Sequence, residues 1–277
     1  MKLTSVEIHP PSNADELVLS FRDPTALNPY NAVSIEGLDS DLVVPKYYGT
    51  DQESKLYNLM RKKRTVVIQI GLNPNYAESE SYFQLRDDLY RLVSAARGGE
   101  VQLHFKNNST VVAAISGFIL KLETDHFDRD QEVKLTIECR DPMLKSLAPV
   151  NVDFDISNPG LLILEDNVST APHGFSFIAE FNSTLTEFGI TNESEGFSFI
   201  IRPRDLFFNN DVLHFSSEFN NKYLYVVRDS VVTHLGDVID LNPIWPIIFP
   251  GTNEYSISNH SYVFWHSISH YETYWGV

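Results

Sequence analysis

One stretch, Ser81 to Arg97, sustains helical periodicity in a chain whose other apolar residues fall in short alternating runs. That contrast limits the fold to sheets with a single helix laid against them. Ser81-Tyr82-Phe83-Gln84 has the form of a capping box, in which the Ser hydroxyl and the Gln side chain each satisfy a backbone N–H of the first turn. Tyr82, Leu85, Leu89, Leu92, Val93 and Ala96 recur at helical spacing, while Arg86, Asp87, Asp88 and Arg91 take other faces. Gly98-Gly99 is expected to close the helix, because glycine tolerates the left-handed conformation that ends one. At about 1.5 Å per residue the segment reaches roughly 25 Å, enough to cover one side of a small barrel.

Around this helix, Leu17–Phe21, Val33–Ile35, Thr65–Ile70, Val101–Phe105, Val111–Leu122 and Val133–Arg140 read as strands, several with period-2 alternation. The single cysteine, Cys139, shares the face of Val133, Leu135 and Ile137, so a buried core thiol is expected, with no disulfide and no thiolate cluster for a metal. Asp141-Pro142 and Ala148-Pro149 carry turn signals. The charge balance also changes near that point: residues 1–150 hold 17 Lys and Arg against 21 Asp and Glu, whereas residues 151–277 hold 4 against 16. Two domains are expected, 1–148 and 149–277, with a return of the last strands to the first domain left open. After the boundary the pattern is strands only. Gly174-Phe175-Ser176-Phe177-Ile178 recurs as Gly196-Phe197-Ser198-Phe199-Ile200, compatible with two equivalent strands, and Leu213–Phe215, Tyr223–Val227 and Tyr262–Ile268 add more. Short strands separated by turns indicate a β-sandwich. The fold class is therefore mainly β, with an α+β first domain.

A formal net charge of -16 argues against tight nucleic-acid binding, which draws its affinity from Lys and Arg neutralising phosphates. Anionic membrane surfaces are disfavoured for the same reason. The most apolar stretch, Val111 to Leu120, is about half the roughly 20 residues a bilayer crossing requires. The N-terminal residues lack the apolar core of a signal peptide, so the expectation is a protein that is not exported by that route.

No catalytic constellation stands out. GxSxG, P-loop, HExxH and GxGxxG patterns are absent, and neither enzymatic activity nor a cofactor is expected. Asp125-His126-Phe127-Asp128-Arg129-Asp130 offers carboxylates to a hard cation but lacks the glycine and distal glutamate of an EF-hand loop, and reads better as a solvated hairpin tip. His266, His270 and Glu272 have a spacing that chelates on a helix. Their aromatic surroundings favour a strand, where such residues share a face but lie too far apart, so packing or surface histidines are expected. Arg61-Lys62-Lys63-Arg64 is the one basic run. It is either a solvated loop or an electrostatic contact with an acidic surface of a neighbouring subunit.

The run Asn31-Ala32-Val33-Ser34-Ile35-Glu36-Gly37-Leu38-Asp39, followed by a long polar loop and Arg64-Thr65-Val66-Val67-Ile68-Gln69-Ile70, resembles the opening of the distal tail (Dit) proteins of long-tailed bacteriophages. The helix containing Leu85-Arg86-Asp87-Asp88-Leu89-Tyr90 and the strand Gly99-Glu100-Val101-Gln102-Leu103-His104-Phe105 continue the likeness. Trp245-Pro246-Ile247-Ile248-Phe249-Pro250-Gly251-Thr252-Asn253-Glu254-Tyr255 is similar to the family's proline-glycine-asparagine turn, and the finish Tyr274-Trp275-Gly276-Val277 also fits. The likeness covers most of residues 30–140 and 240–277, while residues 150–235 match by length and strand character alone.

The resemblance implies a tail-tube-like β-barrel with one flanking helix and a galectin-like sandwich outside it. It implies a homo-hexameric ring at the virion tail tip, assembled in the host bacterial cytoplasm, that joins the tail tube protein to the tail hub protein. Genomic DNA would pass through its channel without specific binding, and tape measure, receptor-binding or tail fibre proteins are further partners. An acidic chain suits a conduit that must not hold DNA, so an acidic or neutral channel lining is expected. The segment from Gly37 to Arg64 is too long for an ordinary connection, which points to contacts between subunits. The alternative is a carbohydrate-binding module in host attachment, with Trp245, Trp265 and Trp275 as stacking candidates. A glycoside hydrolase, which needs two facing carboxylates, is a third reading.

Overall fold

The computed structural model describes residues 3–11, 16–21, 28–39, 44–48, 55–60, 63–74, 81–124, 132–155, 161–166, 168–236 and 245–276. The chain divides into two compact units, one of residues up to Leu147 together with the chain's end from Tyr274, the other from Ala148 to Thr273.

The first unit contains β1 (Ser5–His9), β2 (Leu17–Phe21), β3 (Tyr30–Glu36), β4 (Val44–Tyr48), β5 (Lys55–Met60), β6 (Arg64–Leu72), α1 (Tyr82–Ala96), β7 (Val101–Asn107), β8 (Thr110–Thr124), β9 (Glu132–Cys139) and β10 (Leu144–Lys145). Seven of these close into a barrel in the order β8, β7, β1, β2, β3, β6, β9 and back to β8. All its neighbours are antiparallel except β2 and β3, which run parallel through Ser20↔Asn31 and Phe21↔Ala32. Closure removes the unpaired edges that an open sheet of this length would expose.

β8 makes the closure. Its first part pairs with β7 as far as Gly117↔Val101, and its second part pairs with β9 from Phe118↔Glu138 onward. A Cβ on Gly117 would lie 2.7 Å from Ile137 Cγ2 and 2.8 Å from the Glu138 carbonyl oxygen, so the partner change occurs where only glycine fits. The register slips between Ile119 and Lys121, and the bulged Leu120 points outward, 50% exposed.

The barrel core follows the alternation in the sequence. Val66, Ile68 and Ile70 of β6 and Val133, Leu135, Ile137 and Cys139 of β9 are all buried. Burial pushes the Cys139 thiol up to about 12 and so keeps it unreactive. Leu85, Leu89, Val93 and Ala96 of α1 join the same core, and the Tyr30 hydroxyl donates to the Leu85 carbonyl at 3.0 Å. The capping box is present: Gln84 N–H donates to Ser81 Oγ at 3.3 Å, and Ser81 N–H donates to Gln84 Oε1 at 2.9 Å. The helix ends at Ala96, but not by the expected left-handed glycine. Arg97 keeps right-handed helical angles, and its N–H donates to the Ser94 carbonyl, so a tightened last turn closes the helix instead. Within the long segment after Gly37, β4 and β5 form an antiparallel hairpin that sequence patterning did not reveal.

The second unit is a sandwich. One sheet orders β11 (Val150–Asp155), β20 (Val263–His270), β13 (Ser176–Phe181), β16 (Val212–Ser216), β17 (Tyr223–Arg228) and β18 (Val231–His234). The other orders β12 (Leu161–Asp166), β19 (Gly251–Ile257), β14 (Phe188–Asn192) and β15 (Phe197–Ile201). Aromatic rings cross between the layers: Phe177 of one sheet lies 5.7 Å from Phe188 of the other, and Phe215 lies 5.6 Å from Phe199. Such pairs contribute about 0.5–1.5 kcal/mol each beyond their buried area. The repeated pentapeptide is split between the two sheets, β13 and β15, so its copies are not equivalent strands; each supplies a buried Phe, Phe177 and Phe199, to the same core. The expected class, mainly β with a barrel, one flanking helix and a sandwich, is the observed one.

Candidate functional site

The basic run does not behave as one patch. Arg61 and Lys62 lie outside the described residues. Lys63 is exposed, with Nζ 2.9 Å from Glu138 Oε1. Arg64 turns inward and is only 7% exposed. Its Nη1 donates to the Leu38 carbonyl at 2.8 Å and its Nη2 to the Trp275 carbonyl at 2.7 Å. The turn it grips is tightly built: Gly37 has φ +84°, and a Cβ there would lie 2.0 Å from the Thr65 carbonyl oxygen. The inward turn had a sequence signal, since Arg64 has the same parity on β6 as Val66, Ile68 and Ile70.

The Asp125 to Asp130 loop lies outside the described residues. His266 and His270 both sit on β20 and are both buried, but four strand residues separate them by roughly 13 Å. They take different partners. His270 Nδ1 lies 3.0 Å from His173 Nε2, with the rings stacked at 5.0 Å, and Thr273 Oγ1 donates to the Ala171 carbonyl at 2.8 Å beside them. His266 packs on the Phe177 ring at 5.8 Å, and burial lowers it to about 4. These histidines are core packing, as the strand reading expects.

Trp245 is half-buried against Phe199 at 5.0 Å, with Lys222 Nζ 5.4 Å from its ring centre. Trp275 is half-buried at the end of the first unit. The side chain of Trp265 lies outside the described residues. A brace in the sandwich was also unread from sequence. Asp211, 1% exposed, accepts from Arg228 Nε at 2.8 Å and Nη2 at 2.7 Å, and from the Phe208 N–H at 2.8 Å.

On the face of β1 and β7 turned away from the barrel core, Glu7, His9 and His104 come together, with one potential ligand atom from each within 4.8 Å of the others. The sequence does not show this group, because His104 lies 97 residues from Glu7 and 95 from His9 and meets them only through the pairing Glu7↔His104. Burial raises the Glu7 carboxyl, but the Lys106 ammonium and His9 ring beside it prevail and hold it below its ordinary value. Burial, reinforced by the positive potential of His9, lowers His104.

No family model matches the chain, and no curated protein matches it. Solved structures do. The crystal structure of the Dit protein of phage SPP1 is 12% identical, with a TM-score of 0.59 over 88% of this chain and 93% of that one. The baseplate of phage P2 in its activated conformation with calcium gives 10% identity and a TM-score of 0.47 over 98% of both chains. The same baseplate with strontium gives 9% and 0.46 over 96% of this chain and 97% of that one. The SPP1 likeness spans both units, so the chain has a Dit-like fold.

Proposed function

We propose that a chain with this Dit-like fold is a structural subunit of a bacteriophage tail tip. In this reading it forms a hexameric ring that joins the tail tube to the tail hub and lets DNA pass through its channel. The observation that carries the reading is a match extending over 88% of this chain and 93% of the SPP1 Dit protein, because it takes in the barrel and the sandwich in one chain. That protein is described as a paradigm of the hub adsorption apparatus in phages infecting Gram-positive bacteria. The net charge of -16 is consistent with a conduit that gives phosphates few partners.

The ring's partners are the tail tube and tail hub proteins, with tape measure and receptor-binding or fibre proteins at its faces and periphery. Lys63, with Arg61 and Lys62, is the part of the basic run assigned to contacts between subunits. Arg64 serves the barrel itself. The test is the solution mass by light scattering with negative-stain images. An open ring of about six copies of the 31.6 kDa chain is the expected result. A monomer at every concentration would overturn self-closure into a ring.

A further inference from the structure

We propose that Glu7, His9 and His104 form a binding site for a divalent transition cation of the zinc class, built across β1 and β7 on the barrel unit.

The backbone places the three side chains together. Val6, Ile8, Leu103 and Phe105 point into the core, so Glu7, His9, Gln102, His104 and Lys106 occupy the opposite face. Glu7 stands directly across from His104 and His9 across from Gln102, which brings the two imidazoles to 3.9 Å between ring centres. His9 Nε2 faces Glu7 Oε2 at 3.3 Å.

The surroundings resemble the outer support of a metal site. Glu16 Oε1 lies 3.0 Å from His9 Nδ1, the carboxylate-to-imidazole contact that orients a ligating ring and leaves its other nitrogen for the ion. Gln102 Oε1 lies 3.3 Å from His104 Nε2 and can fix that ring's tautomer. Ala114 and Ser116, opposite on β8, add no charge.

Two imidazoles and one carboxylate select zinc-class ions over calcium or magnesium, which take oxygen ligands. Tetrahedral ligands about 2.1 Å from one ion stand about 3.4 Å apart, so the present spread of up to 4.8 Å has to close by roughly 1.4 Å, through rotation of the side chains onto the ion. Lys106, ion-paired to the other Glu7 oxygen, opposes a cation, and water would complete the coordination.

The experiment is calorimetric titration of the full chain with zinc chloride. One site per chain is expected in the wild type. That site should be lost in His104→Ala and weakened about tenfold or more in Glu16→Gln. Lys106→Met should tighten it, and His260→Ala, an exposed histidine elsewhere, should leave it unchanged. Equal binding by wild type and His104→Ala would overturn the proposal. If His104→Ala does not fold, imidazole nitrogen shifts of the wild type decide: zinc must move the His9 and His104 rings, and a titration that leaves both unmoved rejects the site.

Discussion

The guanidinium of Arg64 donates to the backbone carbonyl of Trp275 at 2.7 Å, joining the start of β6 to a residue 211 positions later in the chain. The same group donates to Leu38, so one buried cation holds the turn after β3 and the chain's end to the barrel. Hydrogen bonds to a charged donor contribute about 1.5–3 kcal/mol each. Arg64→Ala should therefore cost about 3 kcal/mol or more in chemical denaturation. Deleting residues 275–277 removes the Trp275 acceptor, so the substitution should cost roughly 1.5–3 kcal/mol less in that background. Strict additivity would show that the arginine stabilises the unit by other contacts.

The barrel was legible where alternation was strong. Val133, Leu135, Ile137 and Cys139 declare the inner face of β9 by themselves, and the capping box declared α1. β1 was not legible, because Val6 and Ile8 give only two inward residues before Pro10, and its identity rests on pairing with β2 and β7. Long-range pairing also hid the Glu7, His9 and His104 group. At Arg64 two sequence signals compete: it closes a run of four basic residues, yet it has the parity of Val66, Ile68 and Ile70, and in the folded chain it is 7% exposed.

Gly117 separates close packing from chain flexibility. An added methyl meets Ile137 Cγ2 at 2.7 Å, Glu138 O at 2.8 Å and Cys139 Sγ at 2.9 Å, whereas one on Gly98 meets nothing within 4 Å. Gly117→Ala should destabilise by about 1–3 kcal/mol through overpacking. Gly98→Ala should be neutral or slightly stabilising. Thermal melts of the two variants side by side test the pair, and equal melting temperatures would refute the crowding at the β8 partner change.

Lys63 distinguishes assembly from folding. Its side chain is 64% exposed, and an exposed pair such as Lys63 with Glu138 contributes about 0–1 kcal/mol. Lys63→Glu should leave the melting temperature of the unassembled chain nearly unchanged. If the basic run joins subunits, the same change should weaken oligomerisation, and raised salt should weaken it in the wild type too. Oligomerisation that is unaltered in the variant and insensitive to salt would remove Lys63 from the interface.

His266 makes the sandwich sensitive to acid. Burial against Phe177 lowers this imidazole from its ordinary 6.5 to about 4 in the folded chain. Between those values the unfolded chain binds the proton more tightly. Stability from this group is therefore complete above about pH 6.5 and is lost as pH falls toward 4. The displacement corresponds to a loss on the order of 3 kcal/mol. His214 is lowered by burial as well and adds to the slope in the same direction. Denaturation midpoints measured from pH 7.5 to 4.5 should fall steeply in the wild type. His266→Phe, which keeps a ring against Phe177 and removes the titrating group, should flatten most of that slope. A slope as steep in the variant as in the wild type would place the acid sensitivity on other groups.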